Sequence, residues 1–383
     1  MPMYIKASWL FDSIDGTFTR DPVLTVEGDT IIELKFGEIE IPEGREVIDL
    51  DGCTLLPGFI DAHDHLSLSP QLENHPQLMN DPDPLLLLRG IENMKIDLAS
   101  GITTSRCLGD KNFIDVYLKE AVEQGIVEGP RIVTCTRGIK ASHAHGSVGT
   151  VFNGVEQIRT AVRENLLHGA DFIKIFTTDT IRKGEFLPSY MTAAEIRVAV
   201  EEAHQVGKKV AAHAIGGKGL TDCITEGVDV IEHAYFADDR QIEEMIKQSR
   251  WVVLTPSIFF HQDRWNTVPH SVALSFQRNK EEVLDTHKRL LQSGVRYAVG
   301  TDATHGELAK DVIFLENIGE PLEKALQGIT SRAAELCEME NSIGSLHAGK
   351  KADIVAVRGN VQADSEALLN VEWVMKDGKQ KLS

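Results

Sequence analysis

Between residues 57 and 340 the chain alternates apolar runs with amphipathic segments, about eight times over, and this rhythm restricts the fold more than any other feature. The runs are GFIDAH, TTSRCLG, RIVTCT, FIKIFT, KVAAHA, VIEHA, WVVLTP and YAVGTDA; helical periodicity marks 84–100, 154–168, 192–206 and 238–249 between them. Strand then helix, repeated in this way, predicts an α/β chain closed into a (β/α)8 TIM barrel rather than an open doubly wound sheet. No Gly-x-Gly-x-x-Gly opens a helix after any run, so a dinucleotide fold loses its main support. The ends read differently. VLTVEGDTIIEL is a hairpin signal around Glu27-Gly28-Asp29, and VEWVMKDGK carries an Asp-Gly turn. We expect residues 1–56 plus 341–383 to form one small β-sandwich domain from both termini, beside a barrel domain at 57–340.

Catalytic groups in such barrels come from the C-terminal ends of several strands. The first run ends in His63 and His65, which a strand turns to one face because side chains alternate. Two imidazoles on one face can share a metal ion. Lys174 lies in the fourth run, His213 in the fifth, His233 in the sixth and Asp302 in the eighth. A single histidine on an apolar strand is ordinarily a satisfied core residue. Six polar positions late in their strands are a different matter, because an inward-facing charge costs several kcal/mol unless it is paired or bound to metal. Burial of Lys174 would favour its neutral amine, a nucleophile able to take up carbon dioxide as a carbamate. The alternative is a buried ion pair with Asp302 or Asp171.

The formal charge of −19 argues against a nucleic-acid partner or an anionic membrane surface, both of which need basic patches. Cys53, Cys107, Cys135, Cys223 and Cys337 have no Cys-x-x-Cys spacing, so reduced, buried thiols are expected. The stretch MPMYIKASWLFDSIDG lacks the pattern of a signal peptide, and no run approaches ~18 apolar residues. A cytoplasmic protein acting on a small-molecule substrate is the expectation, with a homo-oligomer compatible with it.

PGFIDAHDHL, FIKIF, AAHA, IEHA and GTDA, in that order, resemble the amidohydrolase superfamily in its binuclear form, and SIGSLHAGKKADIVAV followed by VMKDGK resembles that family's return into its small β domain. The resemblance implies that His63, His65 and Asp302 hold one divalent metal ion and His213 and His233 another, zinc first among the candidates, with carbamylated Lys174 bridging them. Asp302 would also shuttle the proton. TRGIKASHAHG and GVDVIEHAYFADD resemble the imidazolonepropionase-like branch, which includes Xaa-Pro dipeptidases; His145 occupies the place of that branch's pocket histidine. His145 is thereby implied as a catalytic or substrate-binding residue, with Tyr235 and Arg137 as further substrate contacts. Two of the branch's glycines are replaced by His143 and Ala144, and Ile215 stands where some dipeptidases carry a tyrosine. The implied activity is hydrolysis of a small amide, as a dipeptidase or N-acyl amino acid hydrolase. The alternatives are a ring hydrolase of the imidazolonepropionase type, a carbamate hydrolase or a deaminase.

Overall fold

The chain begins with five strands, β1 (Met3–Asp12), β2 (Thr17–Arg20), β3 (Pro22–Glu27), β4 (Thr30–Phe36) and β5 (Glu46–Pro57). A computed structural model describes residues 2–69, 75–144, 148–180, 182, 186–261, 265–268 and 270–382. The expected hairpin turns between β3 and β4, where Glu27 pairs with Thr30. Only Gly58 separates β5 from the next strand.

Eight strands follow, β6 (Phe59–Asp64), β7 (Ile102–Cys107), β8 (Arg131–Thr134), β9 (Ile173–Phe176), β10 (Val210–Gly216), β11 (Val230–Phe236), β12 (Trp251–Leu254) and β13 (Arg296–Val299). Each run read from the sequence is one of them. They form two parallel arcs, β6-β7-β8 and β9 to β13. At one junction Ile139, beyond β8, bridges in parallel to Ile175 of β9. At the other, the segment after β13 reaches β6, where the Asp302 amide donates to the His63 carbonyl at 2.8 Å. Gly300 makes this approach possible, since a Cβ there would lie 2.3 Å from the His63 amide nitrogen.

Helices lie between the strands, among them Asp83–Ala99, Val155–Leu167, Ala193–His204 and Asp239–Lys247. Capping boxes start two of them, Thr192 with Glu195 and Asp238 with Gln241. Ile173, Ile175, Ala212, Ala214 and Ile231 pack in one apolar cluster with helix residues such as Ile158, Ile196 and Leu220. Burying each such aliphatic side chain contributes roughly 1.5–3 kcal/mol. Alternation then turns the residues between them, Lys174 and His213, to the opposite face.

The chain returns through β14 (Ile354–Arg358), β15 (Val371–Lys376) and β16 (Lys379–Leu382). Strands from both termini join one eight-stranded sheet in the order β16-β15-β14-β5-β1-β3-β4, with β2 on β1. Its hydrogen bonds run through one continuous order of strands. No helix among the described residues is long and apolar enough to cross a membrane.

Candidate active site

The ends of β6, β9, β10 and β11 and the segment after β13 converge on one point. The Nε2 atoms of His63 and His65 lie 3.4 and 3.5 Å from Asp302 Oδ1. The His63 and His233 rings are 4.7 Å apart between centroids, and so are those of His213 and His233. His63, His233 and Asp302 each offer a donor atom within 4.8 Å of the others. The histidines and Lys174 are buried, whereas the Asp302 carboxylate is 21% exposed.

Every imidazole has one nitrogen fixed by a neighbour. His63 Nδ1 donates to Glu232 Oε2 at 2.8 Å, and His65 Nδ1 to the Gly109 carbonyl at 2.6 Å. His213 Nε2 donates to the Asp179 carbonyl at 3.2 Å, and His233 Nδ1 meets Thr255 Oγ1 at 2.7 Å. These contacts set tautomer and ring orientation, and the second nitrogens of His63 and His65 face Asp302. Burial pushes His65 down to about 4 and, with the charges of His213 and His63, holds His233 well below its ordinary value. Both are therefore neutral imidazoles at neutral pH.

Lys174 is fully buried, and its Nζ has no hydrogen-bond partner among the described residues. Burial pushes the amine down to about 8, against the opposing pull of Glu232. The ion-pair alternative is not what the structure contains: Asp171 pairs with Lys119 at 2.7 Å, and Asp302 turns to the two histidines. Burial alone would raise the Asp302 carboxyl, but the charge and hydrogen bond of His63, with His233 and His65, hold it well below the usual range.

The backbone carries a feature that periodicity could not show. His233 and Ala234 have φ values of 78° and 52°, and Asp302 and Ala303 of 52° and 68°. Such left-handed residues are costly and collect at functional sites. The turn at His233 brings it inward although Glu232, its neighbour, also faces the His63 ring. Sequence reasoning missed Glu232 and its partner Arg106, which donates to Glu232 Oε1 at 2.9 Å and to the Ala62 carbonyl. Burial would raise the Glu232 carboxyl, yet Arg106 and His63 hold it at about 2. Their signal was present, a charge inside the apolar runs VIEHA and TTSRC.

A second group, Asp64, Asp97 and His305, braces the site from behind. His305 Nδ1 donates to Asp97 Oδ2 and Nε2 to the Leu68 carbonyl, each at 2.8 Å. With both nitrogens donating it is an imidazolium and has no lone pair for a metal. Burial would lower its pKa, but the Asp97 and Asp64 carboxylates raise it to about 10.

Three further residues were expected at the site. His145 falls outside the described residues. Arg137 stacks on Phe113 and donates to Glu164 and Asn165 of the helix Val155–Leu167. Tyr235 is buried, its hydroxyl 2.6 Å from Thr255 Oγ1, one step behind His233.

Known proteins resemble this chain in sequence and in structure. A crystal structure of a Xaa-Pro dipeptidase with bound methionine superposes with a TM-score of 0.91 at 28% identity, covering 100% of both chains. Ochratoxinase of Aspergillus niger is 25% identical over 415 residues, 95% of this chain and 84% of that protein. Imidazolonepropionase of Fusobacterium nucleatum is 22% identical over 376 residues, covering 86% and 83%. The amidohydrolase family model matches residues 54–381, nearly the whole chain and every residue of the site described above, and the chain belongs to the amidohydrolase family.

Proposed function

We propose that the chain is a metal-dependent hydrolase that cleaves a C–N bond of the amide or peptide kind in a small molecule, within a (β/α)8 barrel spanning residues 57–340. The observation that carries this is Lys174, a buried amine without a hydrogen-bond partner among the described residues, in a site with four buried imidazoles, each with one nitrogen held by a neighbour, and one ionised carboxylate. That donor set fits two divalent cations, zinc foremost. His63, His65 and Asp302 would hold one, His213 and His233 the other. Lys174 would link them after its neutral amine adds to carbon dioxide, forming an N–C bond and releasing one proton. Ions bound there supply Lewis acidity toward a carbonyl and lower the pKa of water.

The chain's own groups do the rest. Asp302, ionised and partly exposed, takes the proton of the attacking water and returns it to the leaving nitrogen. Glu232 and Arg106 fix the His63 ring, and Thr255 with Tyr235 fixes His233, so the ligands are set before substrate arrives. A role for His145 rests on the sequence alone.

The relatives named Xaa-Pro dipeptidase and ochratoxinase support a linear amide as the substrate; those named imidazolonepropionase make a ring hydrolase the second reading. A panel of dipeptides, N-acyl amino acids, cyclic amides and aryl carbamates, presented to the zinc-loaded protein with product release followed by mass spectrometry, tests the proposal. Turnover of a linear amide is expected. Turnover of a ring amide alone would favour the second reading, and metal-replete protein inert toward all C–N bonds would contradict both.

A further inference from the structure

A second buried lysine stands at the mouth of the barrel, and the metal cradle does not use it. Lys140 lies just beyond β8, in the extension where Ile139 bridges to Ile175 and its amide donates to the Lys174 carbonyl. Ile139 packs with Ile173 and Ile175 in the helix-facing cluster, so alternation turns Lys140 to the face that carries Lys174 and Phe176. The contacts agree. Lys140 Nζ lies 5.9 Å from the centroid of the Phe176 ring, Lys174 Nζ lies 5.0 Å from the same centroid, and that ring stacks on His213 at 5.8 Å.

Lys140 is only 6% exposed, yet its amine has no hydrogen bond or ion pair among the described residues, and no carboxylate stands beside it. Its side chain is buried while its Nζ, unlike that of Lys174, is not among the atoms sealed from water, so the amine is open to a ligand, and a cation so deep is costly unless something neutralises it. Burial accordingly pushes the amine down to about 8, with the neighbouring charge of Arg137 acting in the same sense. A structural lysine would have a carboxylate partner, as Lys119 has Asp171. What Lys140 lacks, a ligand bound over Phe176 can supply.

We infer that Lys140 is a specificity-determining residue whose ammonium receives a carboxylate of the substrate, placed across the Phe176 ring from the scissile amide. The inference rests on the amide-hydrolase reading for which group is cleaved, but the carboxylate contact can be measured without turnover. Binding of 3-benzoylpropionate, in which a methylene replaces the amide NH so that no C–N bond can be cleaved, and of its uncharged methyl-ketone counterpart 1-phenylpentane-1,4-dione to the zinc-loaded protein, followed by calorimetry, separates the charge from the rest of the ligand. The wild-type protein should bind the carboxylate tighter by at least about tenfold, the scale of one charge-assisted hydrogen bond. Lys140→Met should remove that difference while leaving affinity for the diketone unchanged, which also shows that the variant is folded; Lys140→Arg should keep most of it. If Lys140→Met fails to fold, Lys140→Gln replaces it with the same expected loss. Discrimination that survives in Lys140→Met or Lys140→Gln, or its absence from the wild-type protein, would overturn the inference. In kinetics the same change should appear as a raised KM for carboxylate-bearing substrates with kcat held. A zinc-loaded protein that distinguishes the two ligands through Lys140 but hydrolyses no amide would sink the amide-hydrolase reading and leave the contact standing.

Discussion

Lys174 and Asp302 carry opposite electrostatic histories. The amine has been stripped of water and given no partner, whereas the carboxylate is kept ionised by the histidines around it. Lys174→Ala should therefore lose one or both metals and most activity, and short carboxylic acids should restore part of both by filling the space of the missing bridge. A variant with full metal and full rate would reduce Lys174 to a structural charge. The pH dependence has a definite sign. Only the neutral amine adds to carbon dioxide, so at a fixed concentration of dissolved carbon dioxide, held by adjusting bicarbonate with pH, reactivation of metal-stripped protein should quicken as pH rises through about 8 and fade below it. Rates of recovery across pH 6–9 check this. Asp302→Asn should lower kcat by roughly two to four orders of magnitude, the usual scale for a general acid or base. Retained metal with an unchanged rate would move the proton shuttle elsewhere.

At the scale of elements, the strand ends do the positioning. The left-handed backbone at His233 and Asp302 breaks the alternation that the sequence shows, and the segment after β13 is then held against β6 by Gly300, the Asp302 amide and the His305 imidazolium. His305 also receives its orientation from Leu68 in the loop after β6. Removing it would leave Asp97 and Asp64 buried without their cation, so His305→Ala should cost about 3–5 kcal/mol of stability, the range for breaking a buried pair. The His305 pKa is raised on folding, so its contribution is complete below the unfolded value of about 6.5 and disappears as pH climbs through about 10. Urea unfolding of wild type and variant at pH 6 and pH 10 should show the gap shrinking; a gap that is constant with pH would mean that His305 acts by packing alone. The polar residues that converge at the strand ends were legible because such side chains late in apolar strands stand out. Glu232, Arg106 and the Asp97–His305 brace were less so, because each pairs with a residue distant in sequence and periodicity carries no information about such partners. Tyr235 and Arg137, read as substrate contacts, are placed by the fold behind His233 and against the helix Val155–Leu167.

Across the whole molecule, the strand–helix count, the order of the strands that carry the converging polar residues and the joining of both termini in one sheet all follow from hydrophobic rhythm and turn signals. The single hydrogen-bonded order of that sheet does not, since pairing partners depend on long-range register. What the rhythm achieves is to bring donor atoms of His63, His233 and Asp302 within 4.8 Å of one another, with His65, His213 and the buried amine of Lys174 beside them. Metal content tests this most directly. Elemental analysis of the purified protein should find about two divalent transition-metal ions per chain; strong chelators should remove them together with activity, and zinc with bicarbonate should restore both. Protein that is free of metal and still hydrolyses its substrate at full rate would contradict the account.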